Sequence, residues 1–218
     1  TLSSNAMCGI KAQETASCDY GCGTTDTREI SGTALVHSYT YSASGNTITA
    51  VCANGENCPN PQSTLKILAP ADLYADGITA KEATVENNLV DTSVAVSDIT
   101  YSSGSAPKTA GTYTASVTVG GATASVEFTL LNYAAKVTDE DGNLISNYKT
   151  LADAVTAAQE IEYSTLTLLD DITVTTFQII NSGNFTIDLN GKTLLSESSF
   201  ALRIQSGAHV IIKDSGEG

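Results

Sequence analysis

Tryptophan is absent from the 218 residues of this chain, and methionine occurs once. Cations are scarce: 10 lysines and arginines stand against 24 aspartates and glutamates, for a net charge of −14. A surface so poor in positive charge cannot neutralise phosphates, which argues against nucleic acid as a partner and against anionic membrane surfaces. The acidity reads as a means of staying soluble and monomeric. No apolar run reaches the roughly 18 residues of a membrane-spanning helix, so no direct membrane insertion is expected. The N-terminus lacks a basic stretch followed by an apolar one, so no signal peptide is read there, and an exported protein would have shed its leader. Ser4-Asn5-Ala6-Met7 resembles the scar of an expression tag, and residues 1–6 are left out of the fold reading.

What the chain does have is alternation. Tyr113, Ala115, Val117 and Val119 alternate with Thr112, Thr114, Ser116 and Thr118. After Gly120-Gly121 the pattern resumes, with Ala122, Ala124, Val126, Phe128 and Leu130 set against Thr123, Ser125, Glu127 and Thr129. A period of two sends one set to a buried face and the other to water. The two glycines supply the positive φ that a tight hairpin requires. The pattern predicts half-solvated antiparallel sheet and a mostly β protein.

Three zones follow from composition. Residues 7–63 hold all five cysteines, Cys8, Cys18, Cys22, Cys52 and Cys58, and little aliphatic mass. A strand pair, 38–42 and 46–52, flanks the turn at Ala43-Ser44-Gly45. This zone is read as a small Cys-rich β module that needs covalent or metal staples. Residues 64–131 are read as a trimmed immunoglobulin-like β-sandwich, with strands at 64–68, 78–85, 93–101, 112–119 and 122–130.

Residues 132–218 open on a hairpin, 134–138 with 144–146, and a helix at 150–161. Thr150 caps that helix, Asp153 sits at the capping-box position, and Leu151, Ala154, Val155, Ala158 and Ile161 form its apolar stripe. Short strands follow at 166–169, 172–174, 185–189, 201–204 and 210–213. The segments 186–191 (Thr-Ile-Asp-Leu-Asn-Gly) and 211–216 (Ile-Ile-Lys-Asp-Ser-Gly) each close an apolar strand with a polar residue and glycine, 25 positions apart. That spacing is the period of a coil in a right-handed parallel β-helix. The third zone is thus expected to be the capped N-terminal portion of such a solenoid, truncated, in a piece of a longer protein.

The cysteines carry the clearest chemical options. Cys18-x3-Cys22 and Cys52-x5-Cys58 read as structural disulfides, for instance within each pair. The alternative is one structural zinc held by Cys18, Cys22, Cys52 and Cys58, with His37 or Cys8 able to replace one of them. The first reading leaves the chain without a cofactor, and the role is structural in both. Asp139-Glu-Asp-Gly-Asn143 has the look of a calcium loop but lacks its distal glutamate, so a polar hairpin turn is expected. Asp170, Asp171 and Asp188 fall at turns and strand ends, and Lys192 and Arg203 are the bases close to them in sequence. No acid–base constellation is legible, so no catalytic residue is assigned, and Asp188 is expected to bond turn backbone. Tyr39 and Tyr41 share a strand face and are read as packing residues.

Several segments carry a resemblance. Residues 37–50 (His-Ser-Tyr-Thr-Tyr-Ser-Ala-Ser-Gly-Asn-Thr-Ile-Thr-Ala), Cys52 and Cys58, residues 65–70 (Leu-Lys-Ile-Leu-Ala-Pro), the turn 74–77 (Tyr-Ala-Asp-Gly) and residues 110–115 (Ala-Gly-Thr-Tyr-Thr-Ala) resemble modules of large adhesin-like surface proteins of Gram-positive gut bacteria. Residues 148–155 (Tyr-Lys-Thr-Leu-Ala-Asp-Ala-Val), 168–173 (Leu-Leu-Asp-Asp-Ile-Thr), 187–193 (Ile-Asp-Leu-Asn-Gly-Lys-Thr) and 212–216 (Ile-Lys-Asp-Ser-Gly) resemble the start of pectin-lyase-like β-helices in similar proteins. The resemblance implies a secreted or cell-wall-associated, multidomain, non-catalytic protein for adhesion or display, with a host or bacterial glycan or protein as partner. It also leaves two alternatives, the non-catalytic front of a β-helical polysaccharide-degrading enzyme and a zinc-stabilised interaction module.

Overall fold

The computed structural model describes residues 6–17, 20, 23–90 and 95–216. The chain is mostly β, in several sheets, and among the described residues no barrel forms. In chain order the strands begin with β1 (Gln13–Ser17), β2 (Thr25–Glu29), β3 (Tyr39–Ser44), β4 (Thr47–Cys52), β5 (Gln62–Leu68), β6 (Tyr74–Ala75), β7 (Thr84–Asn87) and β8 (Thr100–Tyr101). The long hairpin β9 (Gly111–Val119) and β10 (Ala122–Asn132) follows, then β11 (Ala135–Thr138), β12 (Leu144–Tyr148) and the helix α1 (Leu151–Glu160). The last strands are β13 (Thr165–Leu168), β14 (Ile172–Val174), β15 (Gln178–Ile180), β16 (Asn184–Asp188), β17 (Leu194–Ser196), β18 (Leu202–Ile204) and β19 (His209–Lys213). Among the described residues no helix is long and apolar enough to cross a membrane.

Contacts divide the chain into two compact units. One comprises residues 1–71, 82–106 and 113–128, and the other 72–81, 107–112 and 129–218. In the first unit β3, β4, β5 and β7 form an antiparallel sheet in that order. The strand pair expected in the cysteine zone therefore shares one sheet with the first strands of the next zone, and the expected boundary at residue 63 falls inside β5. Ile48 and Ala50 of β4 and Leu65 and Ile67 of β5 are fully buried. Full burial stabilises each of the larger three by about 1.5–3 kcal/mol relative to exposure.

The β9–β10 hairpin forms as its alternation predicts. Ala115, Val117, Val119, Ala124, Phe128 and Leu130 are buried. On the opposite face Ser116 meets Ser125 and Thr118 meets Thr123, each pair at 2.9 Å between hydroxyls. Cross-strand pairs of this kind contribute about 0.2–1 kcal/mol each. Gly120 and Gly121 turn the chain with φ of 55° and 81°. Gly120 is needed twice over, because a Cβ there would lie 2.3 Å from the Tyr41 ring, whereas one on Gly121 would meet nothing within 4 Å.

Two expected strands are shorter in the structure. The segment 78–85 pairs only from Thr84, because Asp76 Oδ1 accepts from the Ile78 and Thr79 amides at 2.9 and 2.7 Å and holds a turn there. Of 93–101, residues 93–94 lie outside the described residues, Val96 makes a single bridge to Val119, and the strand is Thr100–Tyr101. Five strands were not expected. β1 and β2 pair with each other, are almost wholly exposed and lack alternation, β6 has two residues, and β15 and β17 have three each.

In the second unit α1 begins where Thr150 Oγ1 accepts from the Asp153 amide at 3.1 Å, a cap contributing about 1 kcal/mol. Its stripe Leu151, Ala154, Val155 and Ala158 is buried against Leu166, Leu168, Ile180, Phe185 and Ile187. β11 runs antiparallel to both β12 and β13. Beyond it every ladder is parallel: β13 with β16 and β16 with β19, β14 with β17, and β15 with β18. Thr165 pairs with Thr186, Ile172 with Leu194, Gln178 with Leu202 and Thr186 with Ile211, so each rung repeats after 21 to 25 residues. The pairing of Thr186 with Ile211 is the 25-residue match legible in the sequence. Gly183 (φ 88°) packs against the end of α1, where Gln159 Oε1 accepts from the Asn181 amide at 2.7 Å.

Substituting the turn glycines separates their two demands. G121A is expected to cost about 1–2 kcal/mol for a side chain at positive φ, and G120A measurably more because the Tyr41 ring must also move. Urea midpoints of the two variants check this, and equal midpoints would refute it.

Candidate metal centre

Of the four cysteines singled out in the sequence, Cys18 and Cys22 lie outside the described residues. Cys52 and Cys58 come together, and both residues named as possible replacements, Cys8 and His37, join them. The ligand-capable atoms of Cys8, His37, Cys52 and Cys58 all lie within 4.8 Å of one another. Cys8, Cys52 and Cys58, at 3%, 2% and 3% exposure, are buried, and His37 is at the surface.

Each ligand is placed by local backbone. Cys8 sits in a tight turn closed by Met7 N to Ile10 O at 3.1 Å, with Gly9 at φ 70°. Its amide donates to Asn57 O at 2.8 Å, and it bridges to Leu35 in parallel. Cys52 ends β4 and its amide donates to Pro61 O. Cys58 follows the one-turn 3-10 helix Gly55–Asn57, and its amide returns to Gly55 O. His37 lies just before β3, its ring stacked on Tyr39 at 5.4 Å between centroids and 10° between planes.

The thiols are free: Cys52 and Cys58, the pair read as a disulfide, form none here, and Cys8 Sγ lies 3.7 Å from Cys52 Sγ. An S–S bond requires about 2.05 Å. Cys58 Sγ lies 3.5 Å from His37 Nδ1, and Asn54 Nδ2 donates to Cys8 Sγ at 3.0 Å. Burial raises the Cys52 thiol, but the Asn54 and Ser38 amides, the His37 ring and Cys58 outweigh it and bring Cys52 down to about 6. Burial pushes Cys8 up. Burial and the neighbouring Cys58 push the Tyr39 phenol up to about 12, so it stays a neutral donor, bonded to Asn60 O at 3.2 Å. Three soft sulfurs and an imidazole suit a tetrahedral thiolate–imidazole metal better than an oxygen-seeking one. The Cys58–His37 pair has the reach of a nucleophile and its base, but its sulfur is buried and faces two others.

The acidic candidates serve turns. Asp188 Oδ1 accepts from the amides of Asn190 (3.0 Å) and Ser215 (2.9 Å), and its Oδ2 from Ser215 Oγ (2.6 Å). The cation beside it is Lys213 at 3.3 Å, rather than Lys192 or Arg203. Asp214 Oδ1 reciprocates, accepting from Gly191 N at 2.6 Å, so two successive turns are stapled to each other. Asp171 Oδ1 takes the Thr193 amide at 2.8 Å, and Asp170 Oδ1 the Asp171 amide at 2.9 Å. Asp139 closes its own turn through both oxygens to Asn143, at 2.8 and 3.0 Å. Among the tyrosines, Tyr39 packs at the thiol cluster, Tyr41 at Gly120, and Tyr113 against Phe128 at 6.1 Å.

No family model, curated protein or solved structure matches the chain.

Asp188 makes a measurable claim. Burial raises its carboxyl, but the hydrogen bonds from Ser215, Asn190 and Lys213 win, and it titrates below the ordinary carboxylate range. Its stabilisation is complete above about pH 4 and is lost as pH falls through the depressed value. D188A is expected to cost about 3 kcal/mol at neutral pH, and D188N to flatten the acid limb of stability. Denaturant unfolding between pH 2 and 7 checks both; an unchanged acid limb in D188N would refute the assignment.

Proposed function

We propose that this chain is a non-catalytic part of a secreted or wall-associated surface protein, in which β modules act as spacer and display scaffold for adhesion. The observation that carries this reading is the use of the turn carboxylates. Asp188 and Asp214 are committed to backbone amides of neighbouring turns, and Asp171 does the same one turn earlier. A lyase of β-helical form needs carboxylates free to hold a cation and a base free to take a proton; here they fasten rung to rung. The parallel ladders repeating at 21 to 25 residues support the reading of the second unit as the start of a right-handed β-helix. The β3–β4–β5–β7 sheet and the β9–β10 hairpin, each with one buried face, support the immunoglobulin-like reading. The partner in this reading is a host or bacterial glycan or protein, and the cofactor that it admits is a structural zinc.

The purified chain, incubated with pectic and other polysaccharides with and without calcium, is expected to release neither reducing ends nor unsaturated products. Release of either by the wild type, with loss in D188N, would replace the scaffold by the polysaccharide-degrading alternative.

A further inference from the structure

We propose that Cys8, His37, Cys52 and Cys58 together bind one Zn2+ as a tetrahedral three-sulfur, one-nitrogen site, and that this ion fastens the N-terminal segment to the end of β4. The proposal deepens the zinc clause of the scaffold reading, and metal content and polymer turnover are separate assays, so either can fail alone.

The spacing of the ligand atoms is the first argument. Zinc–sulfur bonds of about 2.3 Å and zinc–nitrogen bonds of about 2.0–2.1 Å at a tetrahedral angle put sulfurs about 3.8 Å apart and sulfur about 3.6 Å from nitrogen. Cys8 and Cys52 stand at 3.7 Å, and Cys58 and His37 at 3.5 Å. Two edges of the coordination tetrahedron are thus already at length, and the remaining ones are no longer than 4.8 Å.

The surroundings are the second. Buried thiolates around zinc carry excess negative charge and need N–H donors aimed at sulfur. Asn54 Nδ2 points at Cys8 Sγ at 3.0 Å while also holding Val36 O at 2.8 Å, which fixes its direction. The amides of Asn54 and Ser38 serve Cys52. Tyr39 stacks on the His37 ring and places its hydroxyl 3.9 Å from Cys58 Sγ.

The third is what the cluster would be without an ion. Among the described residues its buried members are the three cysteines, with Leu35 and Tyr39 packed against them. So small an apolar group cannot hold a segment, and small modules of this kind are stapled.

The full chain, purified under reducing conditions and loaded with Zn2+, is expected to hold one zinc per chain. With Co2+ instead it should show the intense visible bands of a tetrahedral thiolate site. C8A and H37A, both outside the sheets, should each weaken Zn2+ binding by more than the roughly 10–100-fold of an outer-shell change, and N54A by about 10-fold. Chelation should speed tryptic cleavage after Lys11, with the rest of the chain resistant. No bound zinc with all thiols reduced would overturn the proposal. So would stoichiometric zinc that survives C8A and H37A but is lost in C18A, or a disulfide among Cys8, Cys52 and Cys58 in the native protein.

Discussion

Thin β layers expose most of their turns and bury little apolar mass, so backbone groups at the turns must be answered by side chains close at hand. With no tryptophan and 6% aromatic residues, this chain depends on that constraint throughout. Asn46 Nδ2 donates to Ile67 O at 3.1 Å beside the β3–β4 turn, Asp76 gathers two amides after its own, and Gln159 reaches from α1 to the Asn181 amide. Asp188 and Asp214 extend the device from closing one turn to joining two. Hydrogen bonds to a charged acceptor contribute about 1.5–3 kcal/mol each when buried, against about 1 kcal/mol for neutral ones. A few such carboxylates therefore rival several core methyl groups.

The same reasoning ranks the contributions around Asp188. Its carboxylate is 7% exposed, whereas Lys213 is 51% exposed. An ion pair with one half in water is screened and contributes little. The directional bonds from Ser215 and Asn190 are not screened in that way, so they set the depressed titration and the alignment of consecutive turns. Asn190 adds a bond from its side chain to Leu168 O at 3.0 Å while its backbone takes φ of 51°. The close fit of Gly216 on Gly191, with no room for a Cβ, shows how tightly the two turns stack.

How much of this was legible depended on whether the signal was local. The β9–β10 hairpin declared itself because a two-residue period and two glycines are properties of one short window. The same holds for Thr150 capping α1 and for the turn match between 186–191 and 211–216. β1 and β2 carried no such mark, because Gln13–Ser17 and Thr25–Glu29 are polar on both faces and pair mainly through backbone. β15 and β17 are too short for any period to show. The sheet that joins β3 and β4 to β5 and β7 is a long-range pairing that no window contains. The thiol cluster was partly legible. Cys52-x5-Cys58 gave two ligands, and Cys8 and His37 were named only as replacements for one of four, because they reach the pair through the turn at 7–10 and the lead into β3, and nothing in their spacing says so.

That long reach is also why an ion at the cluster would count for more than its neighbours. Cys8 and Cys52 are 44 positions apart. An ion that binds only the folded site returns its binding free energy to folding, and that energy covers the roughly 4 kcal/mol of loop closure that a span of this length costs. The segment around Cys8 has, against that, its amide bond to Asn57 O and two exchanged with Leu35. At about 1 kcal/mol each, those bonds fall short of the roughly 1–2 kcal/mol of backbone entropy lost by each ordered residue of the 7–10 turn. Backbone contacts can therefore position Cys8 without holding it. A cross-link at the sulfurs changes the sign of the balance, and it does so at a place where the fold has little apolar core to offer.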